Sequence, residues 1–170
     1  MKVLLRHLLS IVLLPFTVTV LVPTWIARGY KVALAPGRSA GPLALQGLGI
    51  VLVGFGLLLA AASVRRFATE GKGTLAPWDP PREFVVRGPY RFVRNPMISG
   101  VILVLFGEAS VLLSPPHAVW AASFLALNLL HIPLVEEPQL ERRFGDPYRD
   151  YCRNVRRFVP RLSPWQSPTE

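Results

Sequence analysis

Cysteine, acidic residues and, over long stretches, charge of any sign are scarce in this sequence. It has one cysteine, Cys152, and ten Asp and Glu against nineteen Lys and Arg. A single cysteine excludes an internal disulfide and a metal site built on several thiolates. Residues 8–27 and 42–64 contain no Asp, Glu, Lys or Arg. Each run is close to the ~20 residues that cross a bilayer, and neither has the polar face of a soluble helix.

Two further apolar runs follow. Residues 98–113 carry Glu108, and residues 117–135 contain His117 and His131 as their ionisable residues. The short Ser114-Pro115-Pro116 segment between them predicts a tight antiparallel hairpin. The sequence therefore predicts an all-α integral membrane protein of about four transmembrane helices, with a C-terminal cytoplasmic helical cap. We expect one membrane-embedded domain over residues 1–170, with spans at about 8–27, 42–64, 98–113 and 117–135 and a cytoplasmic tail at 136–170.

The Lys and Arg residues are distributed unevenly around these runs. With the N-terminus in the cytoplasm, sixteen of them lie on the cytoplasmic side and three lie between the first two runs. Positive charge collects on the cytoplasmic side of membrane proteins. Both termini are therefore predicted to be cytoplasmic, in the inner membrane of a cell. The net charge of +9 then reflects this topology and attraction to anionic lipid headgroups, and we expect no nucleic-acid partner.

Two polar clusters are predicted to meet at one cytoplasmic mouth. The first, RGPYRFVRNPMISG at residues 87–100, combines three arginines with Gly-Pro and Asn-Pro turn signals. The second begins at Glu136-Glu137, where the fourth run ends. Guanidinium forks, carboxylates, His131 and aromatic faces together suit a ligand that has a carboxylate and an ammonium or sulfonium. A basic loop that only fixes membrane orientation stays an equally good interpretation of the first cluster.

Glu108 is an acid inside an apolar run, where a charge costs on the order of 3 kcal/mol. We expect it to face the protein interior, with Asn128 or His131 of the next run as its partner. Asn128, His131 and Val135 recur at spacings of three and four, which predicts one shared helix face.

Small residues and turn residues predict local packing. Four glycines of the second run are expected to let helices approach closely, namely Gly47, Gly49, Gly54 and Gly56. In the tail, Leu140, Phe144, Tyr148 and Tyr151 recur at helical spacing, and we interpret this apolar stripe as packing on the membrane surface. Gly145-Asp146-Pro147 is expected to interrupt that helix, with Gly145 as a C-terminal cap, Asp146 as the next N-cap and Pro147 in the first helical position.

The two polar clusters together resemble the integral-membrane methyltransferases, which include isoprenylcysteine carboxyl methyltransferases and phospholipid N-methyltransferases. The matching residues are Gly88-Pro89-Tyr90, Arg94-Asn95-Pro96, Gly100, Glu136-Glu137, Leu140, Phe144-Gly145, Tyr148, Tyr151, Val155 and Pro160. The resemblance covers residues 82 to 161, about half of the chain. It implies S-adenosylmethionine as methyl donor in a cytoplasm-facing pocket. It also implies a lipophilic small molecule or lipid-modified substrate that enters between the helices, among membrane lipids.

The resemblance also implies roles for particular residues. Carried over residue by residue, it gives a cofactor pocket of Tyr90, Arg94, Asn95, Pro96, Gly100, His131, Glu136, Glu137 and Tyr148, with Arg157 as a further candidate. The catalytic candidates are Glu108, His131 and Arg94. Arg94 would position a carboxylate acceptor, whereas Glu108, His131 or Glu137 would take a proton from an amine acceptor. The sequence leaves the choice between carboxylate and amine open.

The sequence departs from the family pattern at two positions. Asn95 stands where the family commonly has His, and Ile98 stands where it has Tyr, which removes an aromatic ring and a hydroxyl near the expected cofactor. Two other functions stay open: an NADPH-dependent membrane reductase of the sterol-reductase type, and a non-catalytic membrane protein that keeps the fold. Within the methyltransferase hypothesis, Glu137 is expected to matter more than Glu136, because it shares a face with Leu140 and Phe144 of the capping helix.

Overall fold

A computed structural model describes residues 12–70, 84 and 86–166. Within these ranges the chain is helical, with connecting loops and no β-strand. The elements are a π-helix at Val12–Leu21, α1 at Val22–Gly29, α2 at Ala40–Glu70, a 3-10 turn at Gly88–Arg91, α3 at Pro96–Val111, α4 at Pro115–His131, a second π-helix at Ile132–Glu136, α5 at Glu137–Phe144 and α6 at Asp146–Asn154. The all-helical class predicted from the sequence is confirmed.

Two stretches of helix are long and apolar enough to cross a membrane. The first is Ala40–Arg66 in α2, which has 27 residues and contains an 18-residue window with a mean hydropathy of 2.3. The second is Pro115–Phe144, which has 30 residues, contains an 18-residue window with a mean hydropathy of 1.8, and includes α4, the second π-helix and α5. At 1.5 Å per residue both exceed the ~30 Å hydrocarbon core of a bilayer.

The prediction of four spans is not confirmed. Helix α3 has 16 residues, so it is only about 24 Å long and shorter than the hydrocarbon core. The predicted first span, 8–27, is described only from Val12. Pro15 lies inside the π-helix and Pro23 near the start of α1. The expected loop at residues 71–81 lies outside the described residues.

By its contacts the chain divides into two compact units. Unit 1 comprises Met1–Leu58 and Gly100–Ala126, and unit 2 comprises Leu59–Ser99 and Leu127–Glu170. The core of unit 1 is formed by buried side chains of α3 and α4, with partly buried aromatic residues packed against them. They are Val101, Leu105 and Ala121, with Phe106, Trp120 and Phe124 around them. The Trp120 indole donates a hydrogen bond to Val18 O at 3.2 Å and so ties the N-terminal π-helix to this core.

Helices α2 and α3 approach each other backbone to backbone at glycines. A Cβ atom on Gly49 would lie 2.7 Å from Gly107 O, and one on Gly56 would lie 2.6 Å from Gly100 O. Both distances are shorter than any real carbon–oxygen contact, so a larger residue would force the helices apart. The packing role predicted for Gly49 and Gly56 is therefore confirmed.

Gly47 and Gly54 do not share this role. Neither would place a Cβ within 4 Å of another atom, because each lies on a face of α2 that meets no other helix of the described chain. The packing prediction is wrong for these two positions.

The loop before α2 is fixed to α3 by one amide side chain. Gln46 Oε1 accepts a hydrogen bond from Gly37 N at 2.9 Å. Its Nε2 donates to Ala35 O at 2.8 Å and to Val111 O at 2.9 Å. Because Gln46 is buried, these bonds satisfy a side chain that would otherwise destabilise an apolar helix.

Unit 2 contains the interruption predicted at Gly145. Gly145 has a positive φ of 63°, which favours glycine, and it separates α5 from α6. The prediction of Asp146 as an N-cap is wrong by one position, since α6 already begins at Asp146 and Gly145 takes the capping position. The Asp146 carboxylate instead lies 3.0 Å from Arg149 Nη1, one turn later.

The core of unit 2 is aromatic. Tyr148, Tyr151 and Trp165 are buried in it together with Val155. The Phe84 ring lies 5.7 Å from that of Tyr148 and 5.3 Å from that of Tyr151, both edge-on. The interpretation of this stripe as packing on the membrane surface is therefore wrong for the two tyrosines, which pack inside the protein.

Backbone hydrogen bonds join the segment before α3 to the segment after α6. Arg94 N donates to Arg156 O, Arg161 N to Phe92 O and Trp165 N to Arg91 O, each at 2.9 Å. These bonds hold two stretches of chain side by side although more than sixty residues separate them. The arginines of both stretches are thereby brought together.

Candidate functional site

The centre of the candidate site is a carboxylate held between two guanidinium groups. Arg94 Nη1 donates to Glu137 Oε1 at 2.7 Å. Arg157 Nε donates to the same oxygen at 2.8 Å, and its Nη2 donates to Oε2 at 2.7 Å. The side chains of Arg94, Glu137 and Arg157 are only 14%, 17% and 29% exposed. Charge-assisted bonds in such a setting are among the strongest that side chains form.

Each member of this arginine cluster, Arg94–Glu137–Arg157, is positioned by a different element. Glu137 is the first residue of α5, directly after the second π-helix. Arg94 lies in the loop before α3, and Arg157 lies three residues beyond α6. Arg94 N donates a hydrogen bond to Arg156 O at 2.9 Å, and Asn95 N donates one to Arg157 O at 3.4 Å. These bonds hold Arg94 and Arg157 on adjacent segments of backbone.

The arginine cluster carries a surplus of positive charge and an unused donor. Two guanidinium groups surround one carboxylate, and Arg157 is held in its charged form because its hydrogen bond to Glu137 raises its pKa. Arg94 Nε is buried and has no hydrogen-bond partner among the described residues. Its Nη1 also contacts Cys152 Sγ at 3.0 Å. An unsatisfied buried donor beside surplus positive charge suits an anionic group such as a carboxylate or phosphate.

Three tyrosines border the arginine cluster as neutral phenols. Burial raises the pKa of Tyr90, with a smaller contribution from the charge of Glu136. Burial also raises the pKa of Tyr148, which is further raised by Cys152 and Glu137. The pKa of Tyr151 is raised by burial as well, and its hydroxyl donates to Tyr90 O at 2.6 Å. The site wall is thus aromatic and uncharged, next to the two guanidinium groups.

His131 is the last residue of α4, and Glu136 is the last residue of the second π-helix that follows it. Glu136 is close enough to His131 and to Tyr90 to interact with them electrostatically. His131 is exposed, whereas Asn128 is 8% exposed and therefore buried. Asn128 and Ile132 are thus buried, whereas His131, three residues after Asn128 in the same helix, is exposed.

Asn95 and Pro96 fix the start of α3. Ser99 donates to Asn95 O from both its amide and its hydroxyl, each at 2.9 Å. Pro96 is fully buried at the first position of the helix, where its missing N–H costs no hydrogen bond. These residues therefore set the direction in which the chain leaves Arg94.

Two residues of the predicted site belong to unit 1. Gly100 meets the backbone of α2 at Gly56. Glu108 lies three residues before the end of α3 and lines a groove with His117, at the start of α4. Asn128 and His131 occupy the opposite end of α4. Glu108 Oε2 is buried and accepts no hydrogen bond from the described residues, so the predicted pairing is wrong for this oxygen.

Sequence reasoning undervalued Arg157 and Cys152. Arg157 makes the bidentate contact to Glu137, and Cys152 touches Arg94. A signal for Arg157 exists in the sequence, since Arg156-Arg157 is a basic pair just after an amphipathic helix. The contact of Cys152 with Arg94 has no such signal, because it depends on the pairing of distant backbone segments.

The family model for phospholipid methyltransferases matches residues 45–147, which is more than half of the chain. The chain belongs to the phospholipid methyltransferase family. The resemblance to membrane methyltransferases seen in the sequence is thereby confirmed, and the family implies methyl transfer and lipid substrates. No curated protein and no solved structure matches the chain. Arg94 and Glu137 lie inside the matched region, whereas Tyr148, Cys152 and Arg157 lie beyond it.

Proposed function

We propose that this phospholipid methyltransferase family member transfers a methyl group from S-adenosylmethionine to a lipophilic acceptor at the cytoplasmic face of a membrane. The observation that carries the proposal is the arginine cluster. It joins the two polar motifs through Arg94 and Glu137, and both residues lie within the region matched by the methyltransferase family. Membership in that family also favours methyl transfer over the NADPH-dependent reductase considered above.

The residues present fit the methionine end of the donor, which bears a carboxylate and an ammonium. Arg94, with its unsatisfied Nε, and Arg157 supply donors for the carboxylate. Glu137 is already bonded to both arginines through three hydrogen bonds. We therefore assign the ammonium to Glu136 rather than to Glu137, and Glu137 to holding the arginines in place. Tyr90 and Tyr148 form the neighbouring aromatic wall, with Asn95 and Pro96 shaping the loop before α3.

S-adenosylmethionine supplies a methyl group on a positively charged sulfur, ready for in-line displacement. The protein's part in such a transfer is mainly to align the acceptor with the methyl group. An acceptor amine must lose a proton, and His131 would take it. A carboxylate acceptor needs no base, and a guanidinium would position it. An isoprenylcysteine-type carboxylate would thus need a guanidinium to position it, whereas a lipid amine would need a base.

The orientation of the chain is part of the proposal. The asymmetry of Lys and Arg supports an inner-membrane protein with both termini in the cytoplasm. Reporter fusions after Arg38 and after Ser114 should then read as outside, and a fusion after Arg161 as inside. An external C-terminus would place the arginine cluster on the wrong side for a cytoplasmic donor and contradict this part of the proposal.

Ligand binding tests the proposal most directly. Purified protein in lipid nanodiscs is titrated calorimetrically with S-adenosylmethionine, with its demethylated product and with NADPH. We expect the first two to bind and NADPH not to bind. Arg94→Gln should weaken binding about tenfold or more, since bonds to charged groups contribute roughly 1.5–3 kcal/mol. Arg149→Gln is the matched control, because Arg149 is an exposed arginine of the same unit.

The outcomes of this titration separate the alternatives. Binding of NADPH alone would support the reductase, and binding of none of the three would support a non-catalytic protein. Incorporation of label from methyl-tritiated S-adenosylmethionine into extracted lipid, lost in Arg94→Gln, would then identify the acceptor class. Equal affinities of Arg94→Gln and Arg149→Gln would remove the arginine cluster from the donor site.

A further inference from the structure

Unit 1 contains a groove of about 490 Å³ that includes no residue of the arginine cluster. Its walls come from the N-terminal π-helix, α1, α2, α3 and the start of α4, and they are mostly apolar. Val20, Ile50, Val53, Val111 and Leu112 are among them. Sites for single small molecules have volumes of roughly 300–1,000 Å³ and similar apolar walls. The groove therefore has the size and lining of a site for one ligand with one apolar chain.

Glu108 is the acidic residue of this groove, and one of its oxygens is unsatisfied. Glu108 Oε2 is buried and has no hydrogen-bond partner among the described residues. The described lining contains no Lys or Arg that could pair with it. A buried carboxylate oxygen without a donor is costly. The groove thus has in its wall one carboxyl group that no cation of the described lining neutralises, and this group is negatively charged when Glu108 is ionised.

His117, the other ionisable residue of the lining, is already satisfied. Its Nε2 lies 3.1 Å from Pro23 O, and its Nδ1 lies 2.7 Å from Ser114 Oγ. A carbonyl oxygen only accepts, so Nε2 donates to Pro23 and Nδ1 accepts from the Ser114 hydroxyl in the neutral imidazole. His117 therefore fixes α4 to α1 and leaves Glu108 as the group that a ligand would contact.

We propose that this groove binds a single-chain amphiphile with an ammonium head, and that Glu108 pairs with that head. Charge complementarity selects the head, because an ammonium supplies a hydrogen-bond donor and a positive charge to the Glu108 side chain, which has no cation beside it in the described lining. The same carboxylate repels a phosphate, and no lining cation compensates, so a phosphate-bearing head is disfavoured. The inference concerns a binding site in unit 1 and is independent of the methyl transfer proposed for the arginine cluster.

Photocrosslinking tests the proposal on the full chain in nanodiscs. The probe is dodecylamine with a diazirine in its alkyl chain, and the modified peptides are identified by mass spectrometry. We expect labelling at Ile50, Val53 or Val111, competed by unlabelled dodecylamine. Dodecanol and dodecyl phosphoethanolamine should compete at least about tenfold more weakly, since a charge-assisted hydrogen bond contributes a factor of about ten to over a hundred in affinity.

Two variants separate charge from shape. Glu108→Gln should reduce labelling about tenfold or more, whereas Glu141→Gln, which alters an exposed acid outside the lining, should leave it unchanged. Ile50→Trp should block the groove by bulk while keeping the charge, because Ile50 is 64% exposed and tolerates a larger side chain. If Glu108→Gln fails to fold, the comparison of amine with alcohol in the wild type still decides. Equal competition by dodecanol, unchanged labelling in Ile50→Trp, or no groove labelling in the wild type would each overturn the proposal.

Discussion

Replacing Glu137 by Gln tests how the arginine cluster is held together. The carboxylate accepts three charge-assisted hydrogen bonds from Arg94 and Arg157. Gln keeps one acceptor, but its amide group would face the Arg157 donor that now binds Oε2. Breaking a buried ion pair from one side costs about 3–5 kcal/mol, and the residual exposure of 14–29% lowers our expectation to roughly 2–4 kcal/mol.

The measurement is the free energy of unfolding in mixed micelles, from a denaturant titration followed by circular dichroism. Glu141→Gln provides the matched control on the same helix. Glu141 pairs with Arg149 at 2.6 Å, but these side chains are 46% and 56% exposed. An exposed pair contributes about 0–1 kcal/mol, so the control should cost far less than Glu137→Gln.

A double-mutant cycle then locates the effect. If Glu137 acts through the arginines, Glu137→Gln and Arg157→Gln should be non-additive by at least about 1 kcal/mol. Affinity for S-adenosylmethionine should fall in both variants, since each loosens Arg94 or removes Arg157. Equal destabilisation by Glu137→Gln and Glu141→Gln would refute the reasoning, because burial of the cluster would then have no energetic consequence.

The remaining predictions concern the packing around the site and between helices. Raised pKa values of Tyr90, Tyr148 and Tyr151 favour neutral phenols in the folded protein, so their stabilisation is full below about pH 10 and is lost as the pH rises towards the folded values. Phenolate absorbance from these residues should therefore appear together with loss of the helical circular dichroism signal, and its appearance in a fully folded protein would contradict this. Tyr151→Phe removes the bond to Tyr90 O and should cost about 1–3 kcal/mol of unfolding free energy, whereas Tyr30→Phe, at a residue that is 69% exposed, serves as its control. Gly49→Ala would place a methyl carbon 2.7 Å from a backbone oxygen and should cost about 1–3 kcal/mol, whereas Gly54→Ala, with open space around it, should stabilise the helix by up to about 1 kcal/mol.

The helical class and the meeting of the two polar motifs could be predicted from the sequence. Long uncharged runs leave few alternatives to membrane helices, and the position of Glu137 after the fourth run brings it to the same end as Arg94. The bidentate partner could not be ranked correctly, because Arg157 reaches Glu137 only through the pairing of its backbone with the loop before α3.

Helix faces were predicted less well, for a geometric reason. The π-helix at Ile132–Glu136 has more residues per turn than an α-helix, so the direction of Glu137 cannot be extrapolated from α4 at a period of 3.6. The error at Glu108 has a related origin. Glu108 lies near the C-terminal end of α3, one turn before the loop to α4, whereas Asn128 lies near the C-terminal end of α4, far from that loop. The lengths of the apolar runs alone do not show this separation along the helices.

The backbone pairing of the loop before α3 with the segment from Arg156 to Trp165 has a consequence for biogenesis. A chain is made from its N-terminus and its parts fold as they emerge. Arg94 is synthesised before Arg156, and more than sixty residues must be added to the chain before the backbone partner of Arg94 exists. The span-length helices can insert during this interval. The arginine cluster can therefore form only after Arg157 has been added, later than the span-length helices, and a chain that ends before Arg156 would lack the backbone partner of Arg94.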